Sequence, residues 1–333
     1  MTTGLRVALA AGVTVTAWAS AFVAIRAVGP VFGAGPLALG RLLVGGLALT
    51  VAVLPRRAWV RPTRREWLLL AVCGVSWFGV YNVALNAAEA QLDAGTAAML
   101  VNIGPILIAL SAGALLGEGF PKPLLLGAGI GFAGAVLIGF STAGAGSRFD
   151  LTGAALCVLA AVTWTIGVLT QKPVLRRLPA LQVTQIACVI GAVACLPWAG
   201  GLVDALGSAP APAVAGMVYL GLIPTALAFG TWAYALSRMD AGRLGITTYL
   251  VPTLTVLMAW PLLGELPPAL ALLGGVCALT GVALSRWRSR PATASPAGPD
   301  VAHPDPAPQR GRGRTGGGPD VTVPGPHSPE RRS

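Results

Sequence analysis

Arg41 lies within an otherwise apolar stretch, about residues 36–54, and it is the first residue whose type suggests chemistry. A charge among so many apolar residues is costly in hydrocarbon, so such a side chain faces protein or water. Its planar guanidinium could bind an anionic group such as a carboxylate through two parallel hydrogen bonds. The alternative is that Arg41 lies near the end of its helix and extends its charge to the membrane surface.

Amide, phenol and indole side chains also fall inside apolar stretches of this sequence. Buried in lipid, such groups either hydrogen-bond between helices or line a wet path. Together with Arg41, the following residues are therefore candidate ligands of a small molecule: Trp18, Tyr81, Asn82, Asn102, Trp164, Tyr234 and Tyr249. Three other tryptophans fit an interfacial belt at the membrane surface: Trp77, Trp232 and Trp260.

A 26-residue stretch, Asp93–Glu118, recurs without gaps as Asp240–Glu265 at a constant offset of 147 residues. Eleven of the 26 positions are identical, including the charged ends and a proline, Pro105 in one copy and Pro252 in the other. Charged ends and a proline in register are rarely produced by chance between two apolar helices. The chain is therefore expected to consist of two homologous halves.

The repeated prolines and glutamates are candidate moving or coupling groups. Pro105 and Pro252 each remove a backbone donor in the middle of a predicted helix, which favours a hinge over a fixed kink. Glu118 and Glu265 end the same helices, where a carboxylate opposes the helix dipole and needs a partner, Lys122 in the case of Glu118. They could instead mark the membrane interface, or couple transport to protons.

Charged residues are only 11% of the chain and separate long apolar runs, each of which could cross a membrane. The pattern predicts an all-α integral membrane protein with ten transmembrane helices as two inverted five-helix repeats. Its charge-free runs are 7–25, 67–88, 94–117, 123–147, 151–171, 178–203, 205–237, 244–264 and 266–285, and the tenth span is the one interrupted by Arg41.

Basic residues concentrate in alternate loops, for example five arginines within residues 56–66, which places both termini in the cytoplasm and the chain in the cell membrane. Five spans per half then make the repeats inverted. We expect a first repeat at 1–142, a second at 150–288 and a disordered cytoplasmic tail at 289–333, where proline and glycine are abundant and no core can form.

Several classes of function are disfavoured by the composition. The net charge of +11 is spread over loops and tail, so a nucleic-acid partner is not expected. The five cysteines have no CxxC spacing and both histidines lie in the tail, so neither a metal nor another cofactor is expected. Small-residue faces at 127–139 and 272–284 suit close helix contact, either within the scaffold or between two copies in a homodimer.

The sequence resembles the EamA family of the drug/metabolite transporter superfamily over residues 5–287. The resemblance rests on WASAFVAIR at 18–26, PLALGRLLVGG at 36–46, a segment at 90–95 that is close to an A-x-x-x-x-A-G pattern and a looser one at 235–242, and the duplicated prolines and Gly-Glu pairs. It implies movement of small metabolites, often export of amino acids or related compounds. A non-transporting structural membrane protein is the alternative. An intramembrane enzyme is less favoured because the spans contain no histidine and no HExxH or GxSxG motif.

Overall fold

The structure is a computed structural model that describes residues 2–56, 59–92, 97, 100–142, 150–263 and 269–285. Every regular element within these residues is helical. They belong to one unit, Met1–Ser289. Glu265 and the tail expected at 289–333 lie outside the described residues.

We number the helical elements α1 to α10 in chain order. Their bounds are α1 Thr3–Phe32, α2 Ala34–Arg56, α3 Arg64–Glu89, α4 Gly104–Leu115, α5 Lys122–Thr142, α6 Leu151–Val174, α7 Ala180–Ala194 continued after a 52° bend by Leu196–Ser208, α8 Ala211–Leu236, α9 Ala241–Ile246 followed by a 3-10 turn Thr247–Tyr249 and by Leu250–Leu263, and α10 Ala269–Ser285.

Local sequence explains where several helices begin. Thr63 and Glu66 form a capping box at the start of α3, in which each side chain accepts a hydrogen bond from the backbone N–H of the other residue. Asp150 caps α6 by accepting from the N–H of Gly153 at 2.7 Å. Gly33, at a φ of 75°, ends α1 and begins α2, a conformation that glycine adopts without a side-chain clash.

Five helices are long and apolar enough to cross a membrane, namely α1, α2, α3, α6 and α8, and the bent α7 makes a sixth if it is counted as one span. Apolar side chains on outward faces, such as Leu47 and Leu126, are strongly exposed, as expected for contact with lipid. The all-helical membrane architecture is thus confirmed. The full count of ten spans stays a prediction for α4, α5, α9 and α10.

The repeat extends beyond the duplicated stretch into helix geometry. A π-helical segment interrupts α3 at Gly74–Val80, and another interrupts α8 at Gly221–Leu227, again 147 residues later. Each begins with a glycine packed against backbone: a Cβ on Gly74 would lie 2.7 Å from the carbonyl oxygen of Ala187 in α7, and one on Gly221 would lie 2.9 Å from that of Arg41 in α2. The third helix of each half, α3 or α8, therefore packs through a π-helical glycine against the second helix of the other half, α7 or α2.

Contacts between α5 and α10 define the relation between the repeats. A Cβ on Gly127 would lie 2.5 Å from the carbonyl oxygen of Gly281, and a Cβ on Gly134 would lie 2.5 Å from that of Gly274. The offset of 147 maps Gly127 to Gly274 and Gly134 to Gly281, so exchanging the repeats exchanges the two contacts. Residue numbers rise along α5 as they fall along α10. The helices are therefore antiparallel and the repeats inverted, and these small-residue faces serve the scaffold within one chain.

Candidate functional site

A cluster of aromatic rings occupies the centre of the bundle. Trp18 of α1 lies 6.2 Å from Trp77 of α3, 6.2 Å from Trp164 of α6 and 5.1 Å from Trp232 of α8, measured between ring centroids. Phe229 of α8 joins the cluster at 5.4 Å from Trp18. Most of these pairs meet edge to face, the arrangement that aromatic rings prefer. Two helices of each repeat, α1 and α3 in the first and α6 and α8 in the second, thus contribute to this aromatic cluster.

A narrow cavity of about 60 Å³ lies beside this cluster. It has space for a few water molecules, so a metabolite can enter only if helices move apart. Six of the eight predicted ligand residues line it: Trp18, Arg41, Tyr81, Asn82, Asn102 and Trp164. The lining residues from the first three helices lie in the C-terminal halves of α1 and α3 and in the N-terminal half of α2. It therefore lies nearer the end of the bundle where α1 joins α2.

Arg41 is buried at the cavity wall, with only 4% of the residue exposed. Its Nε donates a hydrogen bond to the hydroxyl of Thr225 at 3.1 Å, and that hydroxyl donates to the carbonyl oxygen of Leu220 at 2.8 Å. Thr225 belongs to the π-helical segment of α8. The side chain is held inside the protein and does not extend to the membrane surface as the alternative interpretation required.

The predicted amide residues differ in what they can offer to a ligand. Asn82 uses its Nδ2 to bind the carbonyl oxygens of Phe78 at 2.8 Å and Trp77 at 3.4 Å, which stabilises the π-helical segment of α3. The amide nitrogen of Asn82 is thus bound to the backbone of its own helix, and its Oδ1 can accept from a ligand. Asn102 lines the cavity from the turn that directly precedes α4.

Two tryptophans expected at the membrane surface are instead part of the central cluster. Trp77 is 1% exposed and Trp232 is fully buried, so the interfacial interpretation of both is wrong. Sequence position could not show this, because the π-helical segment of α3 turns Trp77 relative to a regular helix. The indole Nε1 atoms of Trp164 and Trp232 are buried without a hydrogen-bond partner among the described residues. The side chain of Trp260 lies outside the described part.

Two predicted ligand residues lie away from the cavity. Tyr249 is buried in a separate cluster between α5 and α9, where its ring packs on Gly131. Tyr234 lines a second cavity, of about 540 Å³, at the opposite end of α8, and the guanidinium of Arg238 lies 3.7 Å above its ring. The repeat explains the position of Tyr249: its equivalent position is Asn102, which lines the cavity, whereas Tyr249 in the inverted copy packs in the separate cluster.

The duplicated prolines lie at the beginnings of helical segments and not in the middle of regular helices. Pro105 is the second residue of α4, and Pro252 is the third residue of the Leu250–Leu263 segment of α9, directly after a 3-10 turn. Proline is favoured at such positions because the first residues of a helix have no partner for their N–H groups. The regular α-helical structure is thus interrupted just before each proline, at equivalent places in the two repeats.

Glu118 has a partner that the sequence did not indicate. Its carboxylate accepts hydrogen bonds from the N–H groups of Ala241 at 2.7 Å and Gly242 at 3.1 Å. Asp240 precedes α9 but makes no capping bond of its own, so Glu118 caps this helix from another repeat. The expected pairing with Lys122 is wrong, because free N–H groups and the helix dipole make the start of α9 the stronger attraction.

Lys172 forms the neighbouring contact. Its Nζ donates to the carbonyl oxygen of Leu236 at 2.7 Å and to that of Met239, at the end of α8. Cations bind helix C-termini well because the last carbonyl oxygens are unpaired and the dipole is negative there. We call Glu118 and Lys172, with the backbone groups they bind, the clasp. It joins α4 and α6 to the α8–α9 connection at the end of the bundle opposite the cavity.

Glu89 is a buried acidic residue on the cavity-lining helix α3 that was not among the predicted ligand residues. It directly follows the charge-free run 67–88, and it ends α3 with both carboxyl oxygens buried. Arg26 and Arg41 are the cations that interact with it electrostatically. Its spacing in the sequence could have indicated this position, because Glu89 lies four residues after Leu85 and seven after Asn82, on the face of α3 that lines the cavity.

Inverted helical repeats around a central cavity with a buried charge define a multi-pass membrane transport protein. A family model, the EamA-like transporter family, matches the chain twice, over residues 5–140 and 151–287. The chain therefore belongs to this family, and the resemblance noted from the motifs is confirmed.

Similar proteins agree with this assignment. The chain is 37% identical over 276 residues to a "Probable terminal-alkyne amino-acid exporter" of Streptantibioticus cattleyicolor, covering 83% of this chain and 92% of that one. It is 32% identical to an uncharacterized transporter of Bacillus subtilis, covering 80% and 86%. It is 23% identical to a "Probable amino-acid metabolite efflux pump" of Salmonella typhimurium, covering 72% and 84%. A crystal structure with a TM-score of 0.69 and 21% identity, covering 84% of this chain and 96% of that one, shows the same fold.

Proposed function

We propose that this protein is a secondary transporter that exports a small metabolite, an amino acid or a related compound, by alternating access. The observation that carries the proposal is Arg41, a cation buried at the wall of a central, aromatic-lined cavity. A guanidinium in this position suits the carboxylate that all amino acids share, and the tryptophan rings suit an apolar side chain. The names of two relatives, an amino-acid exporter and an amino-acid metabolite efflux pump, support the same substrate class.

The orientation in the membrane is part of the proposal. Basic loops at the ends of α2, α6 and α8 favour a cytoplasmic location for these connections and for both termini, in the cell membrane. The clasp then faces the cytoplasm, and the cavity lies nearer the outer surface. We infer that the two inverted repeats exchange these roles during transport, with the clasp opening as the outer ends of α1 and α3 close.

Reporter fusions test this orientation. A reporter that is active only in the cytoplasm should be active when fused after Arg290, and one that is active only outside the cytoplasm should be inactive there. A fusion after Glu89 should show the reverse pattern, because this residue ends α3 on the other side. If both positions give the same result, the inverted topology is wrong.

Flux measurements test the function itself. Purified protein in proteoliposomes loaded with a panel of L-amino acids should release at least one of them faster than protein-free vesicles. The alternative of a structural membrane protein without transport predicts equal release from both. We also infer that the protein does no chemistry on its substrate, so mass spectrometry should recover the released compound unchanged, whereas an intramembrane enzyme would leave a product of different mass.

A further inference from the structure

Glu89 carries a carboxyl group in an unusual environment. Both of its carboxyl oxygens are buried, and neither has a hydrogen-bond partner among the described residues. The residue also ends α3, where the helix dipole opposes a negative charge. A carboxylate without hydrogen bonds in this position is stabilised when it binds a proton or a cationic ligand. Ionisable groups buried at membrane depth commonly mark a substrate or proton path for this reason.

The position of Glu89 connects it with the cavity. Asn82 and Leu85 line the cavity, and Glu89 follows on the same face of α3. Between them, Asn86 donates from Nδ2 to the carbonyl oxygen of Ala34 at 3.1 Å, which ties this part of α3 to the start of α2. The amide Oδ1 of Asn86 is buried without a partner among the described residues, as the Glu89 oxygens are. Two unpartnered acceptors thus lie about one turn apart on α3, directly beyond Asn82 and Leu85, which line the cavity.

The charged and titratable groups that face Glu89 come from each helix packed around it. They are Arg26 of α1, Arg41 of α2, Cys157 of α6 and Tyr81 of α3 itself. Neither arginine donates a hydrogen bond to Glu89 in the described structure, and the Nε of Arg41 is bound to Thr225. The cavity therefore has a cation at its wall, Arg41, and a carboxyl group on the next turn of a helix that lines it, Glu89.

We propose that Glu89 binds the ammonium group of a zwitterionic amino acid whose carboxylate is bound by Arg41, and that a proton competes with this ammonium for Glu89. The inference rests on the proposed export function and names its substrate class and its driving ion. Two acceptors, the carboxyl of Glu89 and the Oδ1 of Asn86, match the several N–H donors of an ammonium. The aromatic rings would contact the apolar side chain.

Competition at one carboxylate gives exchange of substrate for a proton. On the outer side a proton binds Glu89, the ammonium contact breaks, and the amino acid leaves. On the cytoplasmic side the next zwitterion displaces that proton, which is released into the cytoplasm. No covalent bond changes, and each cycle moves one amino acid of no net charge outward and one proton inward. The membrane potential and the proton gradient then both drive export.

Calorimetry on the purified full-length protein tests the competition, with L-phenylalanine and N-acetyl-L-phenylalanine as probes. Titration in two buffers of different ionisation enthalpy measures the protons released on binding. Wild type should bind L-phenylalanine more weakly as pH falls and release up to one proton, and it should bind the acetylated probe at least tenfold more weakly.

Glu89→Gln should lose at least tenfold in affinity for L-phenylalanine and show no proton release. Glu89→Asp should keep the release, and Asp204→Asn, which removes an exposed acid elsewhere, should behave as wild type.

Two results would overturn the proposal: unchanged affinity and proton release in Glu89→Gln, or equal binding of the two probes by wild type. Failure of the export function gives a different pattern, in which wild type neither binds nor moves any amino acid of the panel. Infrared titration of the ligand-free protein then decides the proton site. A carboxyl band that titrates in wild type and is missing in Glu89→Gln supports proton exchange at Glu89, and identical spectra contradict it.

Discussion

At the scale of single residues, Arg41, Glu89 and Glu118 have different roles because their surroundings differ. Arg41 is buried at the cavity, where its charge can be used by a ligand. Glu89 is buried without hydrogen bonds, whereas Glu118 accepts two backbone N–H groups at the start of α9. A carboxylate satisfied in this way has a structural use, so proton coupling is better supported at Glu89 than at Glu118.

Arg41 should therefore be sensitive to changes in both charge and shape. Arg41→Lys keeps the charge but loses the planar fork, and Arg41→Gln removes the charge. Loss of one charge-assisted contact costs about 1.5–3 kcal/mol, which is roughly a tenfold to hundredfold loss of affinity. Titration of a transported amino acid against the purified proteins should rank them wild type, then Arg41→Lys, then Arg41→Gln. Arg176→Gln, which removes an exposed arginine at the other end of the bundle, serves as the control. Equal dissociation constants for all four proteins would exclude Arg41 from the site.

At the scale of helices, the breaks before Pro105 and Pro252 and the π-helical segments of α3 and α8 place irregular backbone at equivalent points of both repeats. Irregular backbone at membrane depth is tolerated where it is buried or lines a cavity. These helices are thus the ones in which a change of angle breaks the fewest hydrogen bonds. We expect α4 and α9 to bend at their breaks as the cavity opens.

Replacement of the prolines tests this bending. Pro105→Ala and Pro252→Ala restore a backbone donor at each break and should stiffen it, so flux should fall roughly several-fold while folding is retained. Pro123→Ala, at the second position of α5, is a matched control that should leave flux unchanged. Normal flux in both variants, measured in proteoliposomes at equal protein content, would show that the prolines only shape packing.

The clasp gives a second prediction at the scale of helices. Glu118→Gln weakens the capping of α9 by about 1 kcal/mol, so the amides of Ala241–Ile246 should exchange with deuterium roughly fivefold faster. Exchange measured by mass spectrometry checks this. Glu66→Gln is the control, because it removes an acid that caps α3 at the same end of the bundle. Equal protection of this segment in Glu118→Gln and wild type would show that the clasp does not hold α9.

At the scale of the whole molecule, α5 and α10 join the two repeats through backbone contacts that leave no room for side chains. A Cβ on Gly134 would lie 2.5 Å from the carbonyl oxygen of Gly274, whereas one on Gly129, five residues earlier on the exposed side of α5, would meet nothing within 4 Å. The contact is rigid because carbonyl oxygens of a helix cannot turn away. This pair of helices is therefore expected to stay together as the other helices move.

Two valine substitutions in α5 measure the strength of this contact. Gly134→Val should lower the free energy of unfolding by about 1–3 kcal/mol or more, because it overpacks the interface between the repeats. Gly129→Val introduces the same β-branched residue on the exposed side and should have a small effect. Thermal unfolding in detergent compares the two variants with wild type. Equal melting temperatures would mean that α5 and α10 are not closely packed.

The sequence by itself determined the helical membrane class, the duplication and six residues that line the central cavity, because apolar runs and repeated motifs are local patterns. Tertiary structure decided the rest. Whether a tryptophan faces lipid or the centre depends on the rotation of its helix, and the π-helical segments of α3 and α8 change that rotation. Burial of Glu89 and the capping of α9 by Glu118 depend on which helices meet, and a local pattern carries no information about such distant contacts. The inversion also separates Tyr249 from its counterpart Asn102, since equivalent positions in inverted repeats need not face the same side of one cavity.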